Sequence, residues 1–266
     1  MPFALELLAV GVAYALPVWA LPRLLASSQS SGPATGLISG MLLGLGVIPL
    51  CGSLQLSPLW ITAVFWLYIL VFGFVLSFIE AAVFTAGPSP IRKSDLCGAV
   101  LASGLVAGVL AGFATTNQTG SPLAAIEAHV LEVGYAALIG RIALAATAFM
   151  VIYNVVGTST WPFVRRYYTD GSPGLRLRIP KPGVIIPLQL ARGLLATLVL
   201  LPILLTCPAR GFEGWALIAL AVGLTSGVVP CMNAPGWPIY LRAVHAVEIS
   251  IFAALQTIAW CWLFLT

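Results

Sequence analysis

The chain has 266 residues, 60% of them hydrophobic and only 8% charged, with a mean hydropathy of +1.05. Soluble domains hold roughly 45–50% apolar residues, so this composition excludes the soluble class, and apolar runs that are continuous rather than alternating exclude a β-barrel. The net charge of +4, from 12 basic and 8 acidic residues, is no nucleic-acid signature.

The reading is an all-α polytopic membrane protein, a single integral domain over residues 1–266, with about eight transmembrane helices of about 20 residues each. Span one covers about 3–21 and lacks a basic leader, so it reads as a retained span rather than a signal peptide. Span two, 35–54, carries Gly36, Gly40 and Gly44. Span three, 58–86, is long enough to tilt. Span four, 96–115, carries Gly104, Gly108 and Gly112. Glycines at this spacing let helix backbones approach closely in lipid, and the expectation is that these two seams face each other.

Residues 122–139 place Glu127, His129 and Glu132 among apolar neighbours. They are expected to form an amphipathic helix in the outer interface that runs into span five, 140–159, at Arg141. The stretch 160–183 reads as a stiff, proline-containing loop with five cations, Arg165, Arg166, Arg176, Arg178 and Lys181. Each such cation attracts anionic headgroups by about 1 kcal/mol near a membrane surface. Spans six, seven and eight follow at 184–206, 215–231 and 239–265.

Loop charge orients this topology. Nine cations fall on one side (Arg23, Arg92, Lys93, Arg165, Arg166, Arg176, Arg178, Lys181 and Arg242) and two on the other, Arg141 and Arg210. By the positive-inside rule the basic side is cytoplasmic and both termini are outside. The expected location is the cell (inner) membrane, multi-pass.

Against this background a few polar residues stand inside the spans: Glu80, Asn154, Gln189, Arg192, His245 and Glu248, with Arg242 at the mouth of span eight. A charge at mid-bilayer costs roughly 2.5–3.5 kcal/mol on insertion scales, so such groups are functional by default. At about 1.5 Å per residue, Asn154 and Gln189 lie ~7–8 Å below the basic end, Glu80 ~9 Å, and Arg192 and Glu248 ~12–13 Å. Groups from four helices therefore share one slab. Arg192 is the natural partner of Glu80, Glu248 or both, since its planar fork can hold two carboxylates. These seven residues form the expected substrate-binding site. A second group, Glu127, His129, Glu132 and Arg141 with Glu6, Arg210 and Glu213, lies at the opposite end and is explained mainly by interfacial solvation.

Familiar catalytic patterns are missing: the chain has no GxSxG, Walker A or HExxH motif. Two histidines on opposite sides cannot build a His-rich metal centre, and five cysteines without CxxC pairing read as small apolar packers. No metal or cofactor is expected. Ser226, in Leu224-Thr225-Ser226-Gly227, is a faint hint of an intramembrane serine hydrolase with His245.

Three functions stay open: a transporter or binding protein for a small anionic or proton-coupled solute, a membrane-embedded enzyme acting on a lipid-linked substrate, and a structural or assembly subunit of a membrane complex. The partners admitted are membrane lipids, with anionic headgroups near the 160–183 loop, a second copy of the chain, or a neighbouring subunit. Nucleic acid is not among them.

Overall fold

The computed structural model describes residues 2–24, 32–85, 92–114, 119–169, 177–208, 211–234 and 237–266, apart from the side chains of 21–24. The chain is an all-α polytopic membrane protein. Among the described residues, eight helices are long and apolar enough to cross a membrane. Span one occupies Phe3–Leu24, span two Pro33–Ser53, span three Pro58–Phe84 and span four Lys93–Phe113. Span five is Tyr135–Thr169, span six Pro182–Thr206, span seven Gly211–Met232 and span eight Ile239–Leu265. Their outer faces are apolar: Leu105, Leu144, Leu198 and Leu255 are all exposed at mid-span, a surface that water would not tolerate.

Local chemistry sets the helix ends. Spans two, three and six each begin with a proline in the first turn (Pro33, Pro58 and Pro182), where the missing N–H is no loss. Span four begins with a capping box in which the Arg92 backbone N–H donates to Asp95 Oδ2 at 2.9 Å.

The structure departs from the sequence reading in three places. The expected helix over 122–139 stops at Val133, because Gly134 adopts φ +84°, a left-handed conformation that breaks the helix and is natural only to glycine. Span five then starts afresh at Tyr135 and runs through the expected loop as far as Thr169. Tertiary contact explains why Pro162 does not end it: Val164 and Tyr167 bury against Leu241, with Trp161, Tyr168, Leu177, Trp237 and Val244 around them.

The glycine seams do not face each other. Span two packs on span one, where a Cβ at Gly40 would lie 2.8 Å from both Gly11 Cα and Tyr14 Cβ. A Cβ at Gly108 or Gly112 would meet nothing within 4 Å, and one at Gly104 would meet only the Trp66 ring at 3.9 Å, so this row does not bring two backbones together among the described residues.

Two spans contain a wide π-helical turn, Val71–Val75 in span three and Leu224–Val228 in span seven. The two turns adjoin: a Cβ at Gly73 would lie 3.6 Å from Thr225 Cγ2, and the Tyr68 hydroxyl donates to Thr225 Oγ1 at 3.3 Å. A turn of this kind inserts a residue and rotates everything beyond it by about 100° relative to a regular helix. In span three, Ser77 and Glu80 lie just beyond it. The apolar core runs the length of the bundle, and Trp260, Tyr68, Phe65, Phe72 and Phe149 are its largest fully buried side chains.

Candidate functional site

The charged groups of spans three, six and eight meet where the sequence reading places them, toward the basic end of the bundle. Glu80 is the hub. Its Oε2 lies 3.1 Å from Arg192 Nη2. Its Oε1 accepts a hydrogen bond from the Tyr153 hydroxyl at 2.9 Å and lies 3.8 Å from His245 Nε2. The other ring nitrogen of His245, Nδ1, is 3.0 Å from Glu248 Oε2. One turn back on span six, the fully buried Gln189 accepts from Arg192 Nη1 through Oε1 at 2.9 Å. The result is a continuous polar chain, Gln189–Arg192–Glu80–His245–Glu248, with Tyr153 on its flank.

Backbone approach positions this chain. Gly193, next to Arg192, lets span six close onto span five; a Cβ there would lie 2.7 Å from Phe149 Cβ and 2.8 Å from the Ala146 carbonyl oxygen. The Arg192 guanidinium consequently lies over the Tyr153 ring, 5.4 Å from its centroid, in the range of a cation–π contact. Burial is deep but incomplete: the Arg192 side chain is 7% exposed, and Glu80, His245 and Glu248 are 16%, 17% and 13% exposed. A cavity of about 30 Å³ adjoins them, lined by Ser77, Tyr153 and Ser226 as well as by the charged groups. A single water needs roughly 10–15 Å³ on this measure, so the space has the size of about two waters. Toward the basic end, the Trp237 ring lies 5.4 Å from the His245 ring.

Two expected members stand apart. The exposed Asn154 donates to the carbonyl of Met150 in its own helix at 2.7 Å. Its depth is right, but its direction is wrong: at 100° per residue, its neighbour Tyr153 is the one that points inward. Arg242 donates from Nε to the Trp237 carbonyl at 2.8 Å and so fastens the turn before span eight rather than joining the chain. Ser226 lines the cavity, yet its hydroxyl donates to Val222 O at 2.6 Å, and both nitrogens of His245 face carboxylates. The serine-hydrolase hint therefore finds no support in the geometry. At the opposite end, Glu127 and Glu132 are exposed, and Arg210 lies outside the described residues.

Tyr153 is the residue that sequence reasoning missed. Its signal was the spacing of Phe149, Tyr153 and Val156, an i, i+4, i+7 face, which outweighs the isolated amide beside it. A second polar contact also went unread. Asn233, at the end of span seven, donates to Ser39 Oγ at 2.9 Å and to the Tyr14 hydroxyl at 3.4 Å, tying spans one, two and seven together. Among the described residues no group of three His, Cys, Asp or Glu is placed to hold a metal ion. Ion pairing and hydrogen bonding are what this arrangement displays, and its carboxylates and imidazole are groups of the kind that can exchange protons. No family model, curated protein or solved structure matches the chain.

Proposed function

We propose that the protein is a proton-coupled membrane transport protein working from the Glu80 centre. One observation carries the reading. A single carboxylate is shared by an arginine, a tyrosine and a histidine from three different helices, beside a cavity of water dimensions, and the histidine links it to a second carboxylate. Glu80, His245 and Glu248 are a relay of proton-exchanging groups, and Arg192 is the fixed charge that holds it in register. A network built only to lock helices does best when it is closed and fully satisfied. Here Arg192 Nε and Gln189 Nε2 are buried and make no hydrogen bond among the described residues, and Arg192 borders the cavity, so the network is not closed on itself.

On this reading the relay lies toward the cytoplasm, and the exposed Arg165 and Lys181 rest against anionic headgroups. Arg178 is exposed as well, and its guanidinium Nε donates to the Val83 carbonyl at 2.7 Å, which caps the end of span three.

The test is reconstitution into liposomes loaded with a pH-sensitive dye, challenged with a panel of organic acids, amines and sugars. We expect proton movement that depends on one solute class and disappears in Glu80→Gln and Glu248→Gln, with both variants still folded in the membrane. The wild-type protein moving no protons with any solute, while Glu80→Gln merely lowers abundance, is the result that would return the centre to a purely structural role.

A further inference from the structure

We infer that the solute is a small monovalent oxyanion of about the size of formate or acetate, that it binds Arg192 in the place now held by the Glu80 carboxylate, and that it enters with one proton. The inference rests on the transport reading above and adds the substrate class and the stoichiometry. Arg192 is 7% exposed and Gln189 fully buried, yet Arg192 Nε and Gln189 Nε2 have no acceptor among the described residues. Buried N–H groups without acceptors are rare, and each such group calls for an explanation. Both sit on one face of span six, three residues apart, and Arg192 Nη1 already binds the Gln189 carbonyl oxygen. Of the two, Arg192 lines the cavity; its guanidinium offers N–H donors only, and such a surface selects acceptor oxygens. Glu80 meets this surface with a single oxygen, at 3.1 Å, because its other oxygen is held by Tyr153. The guanidinium fork is therefore half used.

Charge balance gives the coupling. The groups facing Glu80 are Arg192 from span six, Tyr153 from span five and His245 from span eight, with Glu248 behind His245. With His245 protonated, two cations balance two carboxylates. An added anion leaves one uncompensated negative charge in a poorly solvated site, which is strongly unfavourable. Protonation of the displaced Glu80 removes it. The sum is then Arg192 and His245 positive against Glu248 and the solute, with Glu80 neutral. One anion and one proton move together, and no net charge crosses. An amine solute has no comparable place, since its charge would add to that of Arg192. Size follows from the cavity: room for about two waters, with the space the Glu80 carboxyl vacates, fits a solute of a few heavy atoms.

The test uses the purified full chain in detergent, weakly buffered with a pH indicator and mixed with sodium formate or sodium acetate, with sodium chloride and methylammonium chloride as controls. Binding is read independently from tryptophan fluorescence. We expect the wild-type protein to take up about one proton per anion bound. Glu80→Gln should bind the same anion about tenfold more tightly, since a resident competitor that fills nine-tenths of the sites weakens apparent affinity by that factor, and it should take up no proton. Should Glu80→Gln fail to fold, the proton count of the wild-type protein between about pH 6.5 and 8, where both solutes are present as anions, decides alone, with about one proton taken up per anion bound. Anion binding without proton uptake, weaker binding by folded Glu80→Gln, or no binding of either anion would overturn the inference. Proton uptake with methylammonium alone would also overturn it while leaving the transport reading standing. Absence of all solute-linked proton movement in liposomes would remove that reading as well.

Discussion

Spans one and two meet through glycines, whereas spans three, six and eight meet through charges. At the first contact Gly40 touches Gly11 with no room for a methyl group, and dispersion between close backbones supplies the cohesion. At the second, Glu80, Arg192, His245 and Glu248 are taken out of water and held by one another. Both contacts join helices in the same apolar surroundings. The glycine contact shows that this chain can join its helices without burying charge, and span six itself closes on span five through Gly193. The ionisable groups join spans three, six and eight by a second kind of contact, and the function proposed above gives them exchange as well.

Mutations separate the two kinds of contact. The largest effect is expected from Arg192→Ala, which leaves Glu80 buried without its cation at a cost of about 3–5 kcal/mol. Adding Glu80→Gln should recover part of that loss, and unfolding in mixed micelles reads the coupling. A cost that is simply additive would mean that the pair is not energetically linked. Next come two glycines. Gly40→Ala should destabilise by about 1–3 kcal/mol through overpacking against backbone. Gly108→Ala, facing open space, should be neutral or stabilise by up to about 1 kcal/mol through helix propensity. Equal effects at both positions would show that the contact assigned to span one is wrong. The smallest pair sharpens the site itself. Tyr153→Phe removes one interhelical hydrogen bond, for about 0.6–1.7 kcal/mol, and should slow proton exchange at the centre. Asn154→Ala should stay within about 0.5 kcal/mol of wild type and leave exchange unchanged. Reversal of that order would place the amide, rather than the phenol, inside.

Most of the architecture was legible in the chain. The limits of span eight, residues 239–265, agree in both readings, because a stretch of membrane-crossing length that stays mostly apolar despite Arg242, His245 and Glu248 leaves little choice. The extent of span five was not legible: Pro162 and the polar residues after it argue locally for a loop, and only the apolar cluster around Leu241 holds them helical. Gly134 was one glycine among 26 until its φ of +84° marked a break. That Arg192 meets a carboxylate followed from opposite charges at similar depth, while the choice of Glu80 over Glu248 did not. The exclusion of Asn154 and Arg242 did not, because depth along a helix says nothing about azimuth.

By itself the sequence determined that the chain lives in lipid, that it crosses about eight times, and that acids and bases lie at one level near its basic end. Hydropathy and rise per residue are one-dimensional quantities, and a one-dimensional string carries them in full. Tertiary structure decided which helices touch, which oxygen of Glu80 meets which partner, and which side chains are left with unused donors. Those outcomes depend on rotation about each helix axis, and the wide turns at Val71–Val75 and Leu224–Val228 alter that rotation without leaving a mark in composition.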